Sequence, residues 1–253
     1  MEVSVVKHTR YAALDGIRGL ALLNMIIYHG VWDLVYLFGM DWKWYRSDGA
    51  FIWQQYICWS FIFLAGVCQP LGRRKLRRAL LVFAGGVVIS LVTVLVMPES
   101  QVVFGVLTLI GICTLLMIPL ERFLERCPAW LGLTASMALF ILTRNVNTGY
   151  LGFGPWQLCK LPEDWYSSWG STFLGFPMKG FYSTDYFSLI PWMFLFMAGF
   201  YTYQLLHKGQ LLGYLVQSRV QPLEWLGRHS LVIYMLHQPV LYGVLSLIFL
   251  FRK

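Results

Sequence analysis

A chain of 253 residues in which 58% are hydrophobic and 13% charged, with a mean hydropathy of +0.60, is too apolar for a water-soluble globule. Its formal charge of +8 lies in short clusters between apolar runs, which excludes the continuous basic face a nucleic acid would need. Five cysteines, odd in number and widely spaced without a CxxC pair, point to neither a disulfide framework nor a zinc site.

The expected fold is an all-α, polytopic transmembrane helix bundle forming one domain over residues 1–253. A hydrocarbon core about 30 Å thick takes roughly 20 apolar residues per helix. Seven segments qualify: 12–37, 50–70, 76–97, 102–120, 129–146, 186–206 and 228–250. The opening MEVSVVKHTR is short and polar, and the run after it is longer than a signal-peptide core and lacks a small-residue cleavage site. It is expected to stay attached as the first span.

That first span, LDGIRGLALLNMIIYHGVWDLVYLF, carries Asp15, Arg18, Asn24, His29 and Asp33. At about 100° per residue, with Asp15 at zero, Arg18 falls near 300°, His29 near 320° and Asp33 near 0°, while Asn24 falls near 180°. Four ionisable groups therefore share one stripe. Such groups inside hydrocarbon usually face a protein interior or a watery cavity. His29 lies roughly 21 Å along the axis from Asp15, and His29 and Asp33 are neighbours at i, i+4. Asp15 and Arg18 suit an anionic group at the inner end, or simply clamp one helix to another. An imidazole beside a carboxylate suits a general base.

The second segment runs into Arg73, Arg74, Lys75, Arg77 and Arg78. This cluster either meets anionic lipid headgroups or draws in nucleotide phosphates. It also sets the orientation, because Lys and Arg are retained on the cytoplasmic side of short loops. With the N-terminus inside, twelve Lys and Arg lie inside and seven outside, apart from Arg18. The C-terminus is then outside. Gly66, Gly85, Gly86, Gly105 and Gly111 are read as close-packing positions. The long connection from 146 to 185 is expected outside, with ten aromatic residues that form an interfacial belt or a wall for stacking a sugar ring.

In the last segment, LEWLGRHSLVIYMLHQPVLYGVL, Ser230, Tyr234 and His237 share a face near Gln238, and Pro239 frees a backbone carbonyl. Arg228 stands at the boundary as an anchor or a phosphate contact. GxSxG, GxxxxGK[ST], HExxH and CxxC are all absent from the sequence, so hydrolase, ATPase and zinc-enzyme readings lose support.

RYAALDGIRGLALLNMIIYHGVWD, WSFIFLAGVCQPL, FGVLTLIGICTLL, WMFLFMAGFYTY and LEWLGRHSLVIYMLHQPVLYGVL, in that order, resemble bacterial members of the heparan-alpha-glucosaminide N-acetyltransferase catalytic-domain family. The resemblance implies a multi-pass cell-membrane acyltransferase. Acetyl-CoA offered from the cytoplasm would donate its acyl group to an amine or hydroxyl of an extracytoplasmic glycan. Membrane lipid, acyl-CoA and the glycan are the implied partners, with a homodimer as one form such a bundle could take, and neither a metal nor a nucleic acid is implied. The lysosomal branch has its catalytic histidine in the loop after the first helix, where GMDWKWYRSDG has none, and Thr108 stands where related bacterial sequences often carry histidine. The base is therefore expected to be His29, oriented by Asp33. His237 with Tyr234 would hold the thioester carbonyl, and Asp15, Arg18, Arg73, Arg74 and Arg228 would line the donor end. A transporter that uses the same stripe as a proton relay is the rival reading.

Overall fold

The computed structural model describes residues 11–216 and 220–251. In chain order come α1 (Ala12–Tyr36), α2 (Asp48–Val67), α3 (Lys75–Val96), α4 (Val106–Leu124), α5 (Ala129–Thr143), the strands β1 (Tyr150–Phe153) and β2 (Trp156–Lys160), α6 (Trp169–Leu174), α7 (Leu189–Lys208), α8 (Gln221–Arg228) and α9 (Ser230–Leu250). Seven helices, α1 to α5, α7 and α9, are long and apolar enough to cross a membrane, α5 together with the turn that follows it. The protein is an all-α polytopic bundle.

Two stretches differ from expectation. The last apolar segment, expected over 228–250, is α9, but the stretch LEWLGR before it is a separate short helix, α8, because the backbone breaks at His229 (φ −100°, ψ 16°). The long connection is also folded. An antiparallel hairpin pairs Tyr150 with Lys160 and Phe153 with Trp156, and α6 opens on a capping box between Ser168 and Ser171.

The chain divides into two compact units, residues 1–60 with 206–253, and residues 61–205. In the first, α8 lies directly on α1. A Cβ added to Gly19 would stand 1.9 Å from the Leu223 carbonyl oxygen, and one added to Gly227 would stand 1.9 Å from that of Asp15. Only glycine lets the two backbones approach this closely. On the far side of α1, Asn24 Oδ1 accepts a hydrogen bond from Trp53 Nε1 at 3.0 Å, as its position opposite the ionisable stripe requires. A small core of Val35, Tyr45 and Ala50 closes the end of α1 near the loop to α2, with Tyr28, Val31, Trp32 and Trp42 packed on it.

In the second unit, α3 and α4 meet through Gly86 against Thr108 and Gly111 against Phe83. Lys75 and Glu121 pair across their other end. Gly66 and Gly199 bring the last turns of α2 onto α7, and Phe140, Phe196 and Phe200 are fully buried. The chain before α4 is laced to the chain before α7. Val103 N–H donates to Ser183 Oγ at 2.9 Å, Val106 N–H to Asp185 Oδ2 at 3.1 Å, and Phe187 N–H to the Phe104 carbonyl at 2.8 Å. Asp185 thus supplies the N-cap side chain that Gly105 lacks, and α4 starts four residues later than its hydropathy predicts.

Candidate functional site

The ionisable stripe of α1 and the polar face of α9 meet within the first unit. The rings of His29 and His237 lie 4.9 Å apart at 62°. One turn further along α1, Asp33 is completely buried and accepts a hydrogen bond from Gln238 Nε2 at 2.5 Å. The sequence thus pointed to His29, Asp33 and His237, and the fold brings all three together.

Their connections are not those the spacing suggested. Among the described residues Asp33 is held by Gln238, and no hydrogen bond joins it to His29. His237 is held from its own helix, with Nδ1 2.5 Å from the Tyr234 carbonyl. A carbonyl oxygen only accepts, so Nδ1 carries the hydrogen and Nε2 of the neutral ring presents a lone pair. Tyr234 contributes this carbonyl, and its ring lies 5.4 Å from that of His237.

Three buried polar atoms here have no hydrogen-bond partner: Asp33 Oδ2, His237 Nε2 and Gln238 Oε1. All three are acceptors. Buried polar atoms are nearly always satisfied, and leaving one unpaired costs about 1–3 kcal/mol, so three together, without a partner among the described residues, mark this cluster as the candidate site.

Toward the N-terminal end of α1, Arg18 Nη1 bonds Asp15 Oδ1 at 3.1 Å, and on α8 Arg228 Nη2 bonds Glu224 Oε2 at 2.9 Å. The Gly19 and Gly227 contacts bring together the segments of α1 and α8 that carry these two pairs. The Arg228 side chain keeps 41% of its surface accessible, which leaves donors for an incoming anion. Arg73 and Arg74 belong to the other unit.

Two members of the site escaped the sequence reading. Gln238 stands beside His237 in the sequence, but its partner lies 205 residues away. Glu224 carries a legible signal, because its i, i+4 spacing from Arg228 marks a helical ion pair. Over the loop after α1, Tyr45 Oη donates to the Tyr28 carbonyl at 3.2 Å, and burial pushes its phenol well above the ordinary range, so it stays a donor. Among the described residues no group of three or more His, Cys, Asp or Glu is placed to hold a metal ion.

Comparison with known proteins gives the family. No curated protein and no solved structure matches the chain. The sequence model described as heparan-alpha-glucosaminide N-acetyltransferase, catalytic, matches residues 10–239. That span takes in α1 with its ionisable stripe, α8, and α9 through His237 and Gln238, and the chain belongs to the heparan-alpha-glucosaminide N-acetyltransferase catalytic family.

Proposed function

We propose that this membrane protein transfers an acetyl group from a coenzyme A thioester to a primary amine of a sugar at the His29, Asp33, His237 and Gln238 cluster. The observation that carries the reading is the set of three buried acceptors without partners. An amine brings several N–H donors on one atom, which a lone hydroxyl cannot match, so the cluster favours an amine over an alcohol.

The expected roles of the two histidines then exchange. His237 Nε2, with its lone pair free and its other nitrogen fixed on the Tyr234 carbonyl, takes a proton from the amine as the new N–C bond forms. Asp33 Oδ2 and Gln238 Oε1 flank the amine, and one of them orients it by accepting its second hydrogen. His29 faces His237 and donates to the thioester oxygen as negative charge develops there. The C–S bond breaks, and the proton held on His237 leaves with the coenzyme A thiol. The products are an acetylated amine and a free thiol. At the inner end Arg228, and Arg18 beside it, lend N–H donors to the donor phosphates. The reading has the N-terminus in the cytoplasm and the amine arriving from the opposite side.

The test uses purified protein in lipid nanodiscs with acetyl-CoA and glucosamine, and thiol release and acetyl transfer are measured together. The wild type should release thiol in proportion to acetylated amine. His237→Ala should lower kcat at least about 100-fold with the thermal midpoint little changed. Amine uptake into proteoliposomes without thiol release would overturn the reading in favour of transport, and so would undiminished turnover in His237→Ala.

A further inference from the structure

Between α2 and α3 the chain places five cations in six positions, Arg73, Arg74, Lys75, Arg77 and Arg78. Two of them are used within the second unit. The Lys75 ammonium pairs with the Glu121 carboxylate of α4, and Arg78 Nη1 donates to the Cys68 carbonyl at 3.4 Å. Arg73, Arg74 and Arg77 are exposed. Between Asp48 and Glu99 the sequence contains no Asp or Glu, so this segment supplies no carboxylate of its own to balance them.

Their depth is set by the fold. The link from α2 to α3 is a tight turn, with Gln69 N–H on the Gly66 carbonyl and Gly72 N–H on the Gln69 carbonyl. The three arginines therefore stand within about a turn of the ends of two membrane-spanning helices. With Arg77 at zero and about 100° per residue, Leu80, Leu81, Val88, Leu91 and Leu95 fall within roughly 60° of it, and all five are exposed. Arg77 thus tops a continuous apolar stripe, with Leu80 and Leu81 about 5–6 Å below it along the axis. A guanidinium directly above lipid-facing leucines is at headgroup height.

We propose that Arg73, Arg74 and Arg77 form a binding site for the phosphate of an anionic phospholipid, whose acyl chains lie along the leucine stripe of α3. The planar guanidinium matches phosphate oxygens two at a time, and juxtamembrane cations are drawn to anionic headgroups. A soluble phosphate donor would satisfy the arginines alone. A phospholipid satisfies the arginines and the stripe beneath them together.

Native mass spectrometry of the detergent-purified full-length protein tests this with dioleoylphosphatidylglycerol, dioleoylphosphatidylcholine and free coenzyme A as the probes. The wild type should retain phosphatidylglycerol over phosphatidylcholine, and retention should fall about fivefold for each guanidinium removed in Arg73→Gln, Arg74→Gln and Arg77→Gln. Coenzyme A at equal concentration should not displace the lipid. Retention unchanged in the triple variant would overturn the proposal. Displacement by coenzyme A, with coenzyme A binding lost in the same variant, would also overturn it and assign the arginines to the acyl donor. Should the triple variant fail to fold, Arg77→Gln alone decides: its retention falls about fivefold, or the site is refuted.

Discussion

A carboxylate buried as deeply as that of Asp33, with one amide for a hydrogen-bond partner among the described residues, costs stability, and under the proposed function the substrate amine offsets part of that cost. Asp185 is a second carboxylate in a demanding place, outside the spans. Burial pushes its carboxyl from the ordinary 3.8 up to about 6, while the Val106 N–H favours the anion. The folded state therefore keeps this proton to higher pH than the unfolded chain does. Relative stability from this group is highest below pH 3.8, falls as the pH rises, and is fully lost above about 6. Thermal midpoints of Asp185→Asn minus wild type should rise between those two values and level off above them. A difference independent of pH would contradict this assignment. At this scale the sequence disclosed His29, Asp33 and His237, because period and spacing put them on faces. It could not disclose that Gln238 holds Asp33, since that bond depends on how two distant helices pack.

At the level of elements, glycine decides which helices touch. Gly19 and Gly227 bring α8 against α1, and with it the Asp15–Arg18 and Glu224–Arg228 pairs. Gly227→Ala places a methyl group against the Asp15 carbonyl and must force the helices apart. It should lower the thermal midpoint by at least about 5 °C and weaken acetyl-CoA-dependent turnover. Gly243→Ala on α9, where a Cβ meets open space, should change neither. Equal midpoints for the two variants, measured in the same nanodiscs, would show that the α1–α8 contact carries little stability. The reading of Gly66, Gly86 and Gly111 as packing positions came from residue type alone, and each does abut a neighbouring helix. The β1–β2 hairpin stayed hidden for the opposite reason. Strands of four and five residues are too short to show an alternation among so many aromatics.

For the whole molecule, seven helices are long and apolar enough to cross a membrane, and the proposed orientation has the N-terminus in the cytoplasm and the C-terminus on the opposite side. Under the proposed orientation, a protease added to right-side-out vesicles should cut a C-terminal tag and spare an N-terminal one. The reverse pattern would turn the donor end of α1 outward and undo the proposed direction of transfer. The bundle and its spans were legible because hydropathy is a whole-segment property. The division into two units was not, because it depends on contacts between segments far apart in the chain.

The Asp33–Gln238 bond joins the first membrane-spanning helix to the last, which has a consequence for how the protein is made. During synthesis α1 enters the bilayer long before α9 exists, and Asp33, in the last turn of α1, opposes insertion by less than the about 2.5–3.5 kcal/mol that an Asp costs at a helix centre. The nascent chain must tolerate that carboxylate, through a proton or a temporary companion, until α9 has been made. A stop codon between the end of α7 and residue 238 would leave six of the seven apolar helices and no partner for Asp33, so a chain cut there should enter the membrane with its proposed centre incomplete.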